Sequence, residues 1–229
     1  MYRALMFHDV APVRADLVAA HAAVWTHVSQ PGDWWNGVQR REAATIALWA
    51  FVDPAPAPPW VAVSDRIEYH VVPPVVVNAV YRMSAHADSL TESWYRSLIE
   101  AGMEEPAYVE LCGIVSAVSA VASLARTLGS TLPVLPTARL GEPRRPRVEL
   151  VATPRNWVPV IAPGGQRAPV VEALTAAPGE FALLWDHLAP AQYIADEEMV
   201  DLAWTRGTLS RPQIELVAAR VASLRQCFF

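Results

Sequence analysis

Apolar residues recur along this chain at helical rather than alternating intervals, and prolines and glycines cut the pattern into blocks. Leu17, Ala20, His21, Val24 and Val28 fall three or four residues apart, which predicts a helix over residues 16–28, ended by Pro31-Gly32. A second helix is predicted over 36–52, and the prolines of DPAPAPPW forbid its continuation through Trp60. The next stretch reads as an irregular connection with some strand character at 61–63 and 69–72. Helices are then predicted over 74–86 and 91–102. The longest follows over 104–128, stopped by Gly129, a residue suited to a left-handed helix end. From 131 to 169 the helical period vanishes and prolines crowd in, the pattern of an extended linker lying over a surface. Helices resume over 170–177, 179–188 and 190–204. The last stretch, 209–229, opens with Ser210, Pro212 and Gln213, as a capping box requires. Ile214, Val217, Ala218, Val221 and Leu224 then share one face. The pattern predicts an all-α protein.

Composition sharpens this picture by exclusion. With 229 residues, the chain is long enough for a substantial core. At 53% hydrophobic and 18% charged it lies on the apolar side for a globular protein, but its longest uncharged helical run, 111–125, is too short to span a bilayer. That run is expected as a central buried helix. A net charge of −5 with scattered arginines argues against a nucleic-acid surface, and Arg144, Arg145 and Arg147, set among prolines, read as a solvated linker. The N-terminal residues lack the order of a secretory signal, and two distant cysteines make no disulfide framework, so a reducing cytoplasm is the expected setting.

Candidate chemistry is sparse. His21, His27, His70, His86 and His187 show no ligand spacing and read as core or surface histidines, so no metal is expected. Gly164-Gly165 lies among prolines rather than between a strand and a helix, so it is no phosphate loop. Cys112 reads as a small buried hydrophobe. Glu110, in the apolar run YVEL, is expected to form a salt bridge. The tryptophans, Trp34 and Trp35 at a helix entrance among them, read as anchors of helix packing. What remains is Glu215 with Cys227 twelve residues later.

That ending resembles the alkyl hydroperoxidase D-like (carboxymuconolactone decarboxylase) family, whose signature is Glu-x11-Cys-x-x-Cys-x3-His. Glu215 and Cys227 match its Glu and first Cys; the second Cys and the His would fall beyond Phe229. The similarity extends through WWNG, YVEL…ARTLG with the following LPVLP, GEPRRP and IELVAARV. It implies an AhpD-like helical bundle: a complete first unit over residues 1–130, a linker over 131–169, and the front part of a second unit over 170–229. It further implies a thiol peroxidase in which Glu215 is the relay carboxylate and Cys227 the resolving thiol. A hydroperoxide would be the substrate and a dihydrolipoyl-type dithiol the reductant, with no flavin and with subunits packed as a homo-oligomer. Where the first unit would carry its own paired cysteines, the sequence reads Val52, Asp53, Pro54, Ala55 and Pro56, without a thiol.

Geometry constrains the second site as well. Twelve residues on an unbroken helix rise about 18 Å, so Glu215 and Cys227 meet only if the chain turns between them. Three readings follow: a peroxidase whose sequence continues past Phe229, a non-catalytic helical scaffold or oligomerisation protein of the same ancestry, and a decarboxylase branch that relies on histidine. The third lacks a His in matching context. An unclosed apolar face on the last helix predicts either pairing through that face or further chain.

Overall fold

The computed structural model describes residues 6–7, 12–66, 71–161 and 168–224. It is built almost entirely from helices, as the apolar periodicity predicts. In chain order these are α1 (Ala15–His27), α2 (Gly37–Val52), α3 (Pro74–Ala85), α4 (Glu92–Glu100), α5 (Glu105–Leu128), α6 (Pro169–Leu174), α7 (Pro178–Leu183), α8 (Ala189–Gln192) and α9 (Arg211–Leu224). Short 3-10 turns lie at Val63–Arg66, Ala87–Ser89 and Asp196–Glu198. Extended structure is confined to two small antiparallel ribbons. Leu150–Val151 (β1) pairs with Val160–Ile161 (β2), and Thr205–Arg206 (β3) with Leu209–Ser210 (β4).

Local sequence explains the helix ends. The Asn36 side chain accepts hydrogen bonds from the N–H groups of Val38 and Gln39, both at 3.0 Å, and Gln39 Oε1 accepts from the Asn36 N–H. This reciprocal box satisfies donors that the first turn of α2 would otherwise leave bare. Thr91 caps α4 through the Trp94 N–H, and Gly129 closes α5 at φ 69°, a conformation that costs glycine nothing. At α9, Gln213 Oε1 accepts from the Ser210 N–H at 2.9 Å, the Gln half of the expected box.

α5 is the axle. It is long and apolar enough to cross a membrane, yet two-thirds of its apolar window is buried inside the protein, against α1, α2, α3, α6 and α7. Leu111, Ile114, Val118 and Val121 are almost wholly enclosed. The proline-rich stretch divides the helices in sequence, but both sides feed one core: Ala176, Ala177, Leu184 and Leu188 pack in the same cluster as Val24, Trp25 and Ile114. Trp34 is also buried there. The Trp35 indole N–H donates to the Ala107 carbonyl at 3.0 Å, so this tryptophan pair fastens α2's entrance to α5.

Two sequence expectations need correction. The helix expected over 190–204 ends at Gln192, because Arg206 Nη2 turns back to accept duty at that end, donating to the carbonyls of Pro190 and Tyr193. These are terminal carbonyls that no helical N–H reaches. The helix expected over 179–188 does form, but it widens into a π turn at Leu184–Leu188 just before α8. Pro190 supplies the reason: it has no N–H for the Asp186 carbonyl and its ring crowds that carbonyl, which a wider turn relieves.

The Asn36 cap gives a direct check. Asn36→Ala is expected to lower stability by about 1 kcal/mol, measured by urea unfolding followed through helical circular dichroism.

Candidate functional site

Charged residues do not belong in a helical core unless partnered, yet Arg40, Glu110 and Glu180 are each at most 1% exposed. They come from three helices. Arg40 lies one turn into α2, Glu110 in the second turn of α5, and Glu180 in the first turn of α7. Arg40 Nη1 contacts the carboxylates of both Glu110 and Glu180, the latter at 2.8 Å. Glu110 Oε2 also accepts from the backbone N–H groups of Trp34 at 2.6 Å and Asp33 at 3.0 Å. His27, the last residue of α1, brings Nε2 to 2.8 Å from Glu180 Oε1, and Arg40 Nη2 donates to the His27 carbonyl.

An outer ring braces this cluster. Asp33 accepts from the Gly179 N–H at 2.8 Å and pairs with Arg144 at 2.8 Å. The linker runs past it, with the N–H groups of Arg144 and Arg145 donating to the carbonyls of Gly32 and Asp33. The linker arginine Arg144, expected as merely solvated, thus pins the linker down. Two glycines make room: a Cβ on Gly32 would overlap the Glu110 carboxylate, and one on Gly113 would stand 2.6 Å from Glu180.

The two carboxylates titrate in opposite directions. Burial pushes Glu180 up, but the charge of Arg40 and the hydrogen bond and charge of His27 outweigh it, holding the carboxyl down at about 2. Burial also pushes Glu110 up, and there the nearby Glu180 charge adds to it, so Glu110 sits above the usual carboxylate range despite Arg40. The two buried carboxylates share one guanidinium, and the Glu180 charge works against ionisation of Glu110.

The residues singled out from sequence lie elsewhere. Glu215 is in the second turn of α9, with its side chain partly exposed. Its Oε1 accepts from Arg211 Nε at 2.6 Å and its Oε2 from the Tyr193 hydroxyl at 2.7 Å. The Tyr193 hydrogen bond, against a smaller cost of burial and with help from Arg211, keeps this carboxyl below its usual range. Burial and the Glu215 contact in turn push Tyr193 up to about 12. Cys227 lies outside the described residues. α9 itself runs unbroken from Glu215 to Leu224, a rise of about 13 Å, so no turn brings the chain back toward Glu215 over that span.

Among the described residues the one thiol is that of Cys112. Cys112 Sγ packs 3.5 Å from Met83 Sδ, and burial pushes its thiol up to about 12. The segment after α2 is a proline turn in which Asp53 accepts from the Ala55 N–H. Among the described residues no group of three His, Cys, Asp or Glu side chains could hold a metal ion; His70 lies outside them.

Sequence reasoning found Glu110 as a salt-bridge residue but missed its partners. Arg40 and Glu180 are 140 residues apart, and nothing local distinguishes Glu180 from a solvated first-turn acid. The usable signal was Glu110 itself, a charge inside the apolar stripe of the longest helix.

No protein-family model matches this chain, and no curated protein or solved structure matches it.

The cluster predicts a large effect from a single side chain. Arg40→Leu leaves two carboxylates buried without their cation and is expected to cost about 3–5 kcal/mol in denaturant unfolding. Glu180, whose carboxyl is depressed when folded, contributes stability that is complete above its unfolded value near 4.5 and disappears as pH falls toward about 2. Unfolding measured across that window should therefore show stability falling with acid, and Glu180→Gln should flatten the slope.

Proposed function

We propose that this chain is a helical protein of the alkyl hydroperoxidase D-like type whose frame serves as a non-catalytic scaffold. The observation that carries this reading is the state of its carboxylates and thiol. A proton-relay carboxylate works best with a pKa near the operating pH. Glu215 is instead held ionised by Arg211 and Tyr193, below the ordinary range. Glu110 and Glu180 are closed off from solvent and joined to Arg40, where they tie helices together. Cys112, with its thiol pushed up to about 12, is overwhelmingly the protonated, non-nucleophilic form at neutral pH.

The likeness of WWNG, YVEL…ARTLG and IELVAARV to the family supports the ancestry, and the loss of thiols at 52–56 supports a frame kept without its chemistry. A peroxidase working through Glu215 and Cys227 is the competing reading.

Turnover separates the two. Reduction of cumene hydroperoxide by dihydrolipoamide should proceed no faster with this protein than with its Cys227→Ser variant. A rate well above background that is lost in both Cys227→Ser and Glu215→Gln would overturn the scaffold and establish the peroxidase.

A further inference from the structure

Between α9, α1 and α5 runs a groove of about 760 Å³. Its walls are apolar, formed by Leu17 of α1, Leu124 of α5, and Ile214, Val217 and Val221 of α9. Val217 and Val221 remain 62% and 55% exposed, so this lining faces open space rather than packed core.

Polar side chains also line it, and three of them, Arg14, Arg206 and His21, stand among the apolar walls. Arg14 and Arg206 stand near enough for their charges to oppose each other: burial first, then the Arg14 charge, lowers Arg206 from the usual arginine value. Arg14 is paired with Asp16. Arg206 Nη2 donates to the Pro190 and Tyr193 carbonyls and the guanidinium lies over the Trp204 ring, with the charges of Asp16 and Glu198 nearby. No carboxylate stands at ion-pair distance from Arg206 among the described residues, and its buried Nε has no hydrogen-bond partner. The third is His21, only 2% exposed, with neither ring nitrogen hydrogen-bonded. Its ring packs edge to face against Phe7. Burial holds this imidazole down at about 4, so at neutral pH it offers one donor and one acceptor, the complement of a hydroxyl group. His21 lies seven residues after Arg14, the residue that precedes the first turn of α1, a separation of about 10 Å along the helix axis.

A cation at one point, an orphaned neutral hydrogen-bonding ring about two helical turns away, and an apolar trough between α5 and α9 describe a ligand with matching parts. We infer that this groove binds an amphipathic monocarboxylate of the hydroxy-fatty-acid class, its carboxylate on Arg206 beside Arg14, its alkyl chain along Leu124, Val217 and Val221, and its hydroxyl on His21. This site is independent of any redox ancestry, since it uses neither Glu215 nor Cys227.

Calorimetric titration of the full chain with ω-hydroxydecanoate tests it, with decanoate and decanediol as comparators. The hydroxy acid is expected to bind about ten-fold more tightly than either, since each comparator lacks one of the two polar contacts. Arg206→Gln should weaken the hydroxy acid to the level of decanediol, and His21→Phe should remove its advantage over decanoate. Val217→Asp, on the exposed wall and outside the core, should abolish binding while leaving the helical circular dichroism unchanged. Absence of saturable binding, or binding that survives Val217→Asp with the protein folded, would overturn the site.

Discussion

Arg40 is the constraint around which the rest is arranged. Its guanidinium is fully enclosed and stands between two carboxylates that come from either side of the proline-rich linker, one on α5 and one on α7. A buried ion pair is weak as a source of net stability, because desolvation offsets most of the attraction. Its value here is specificity of assembly. α7 can seat on α5 only where Glu180 reaches Arg40 and where Gly113 leaves space for it. Any other docking of the second half strands a carboxylate in the core. The linker obeys the same constraint, since Arg144 and the Gly179 N–H both converge on Asp33, next to the Glu110 contact.

That arrangement divides the molecule's polar chemistry into two kinds. Around Arg40 the charged groups are enclosed and bridge helices and backbone, although Arg40 Nε and Glu180 Oε2 have no hydrogen-bond partner, and His27 lies at the cluster's partly exposed edge. Around the α9 groove the apolar walls are open, and His21 and Arg206 carry buried nitrogens without partners. An enclosed cluster that joins three helices suits a structural role, and an open apolar trough lined by unpartnered nitrogens suits a ligand. Glu215 belongs to neither: with Arg211 and Tyr193 it fastens the start of α9 to the end of α8.

The helices were legible because each rests on short-range physics. Asn36 with Gln39, Thr91 before Trp94, and Gly129 after Leu128 mark helix ends through contacts within four residues. The all-α class and the burial of 111–125 follow from periodicity alone. The expectation for 190–204 failed where a long side chain, Arg206, took carbonyls that a continuing helix would have used. The apolar stripe of α9 was read correctly as a stripe, but of its members only Ile214 is buried, and Val217, Ala218 and Val221 open onto the groove. Periodicity tells which residues share a face; it does not tell whether anything covers it.

By itself, then, the sequence determined the all-α class, most of the helices, the ends marked by Thr91, Gly129 and Gln213, and Glu110 as a charge requiring a partner. Only the tertiary structure decided which partner that is. Arg40, Glu110 and Glu180 carry no spacing rule, because residues 70 and 140 positions apart are joined by packing rather than by a helix turn. The same holds for His21. On the sequence it is one more polar residue on an amphipathic helix, and it becomes a buried imidazole beside an open groove only once α5 and α9 are set around it.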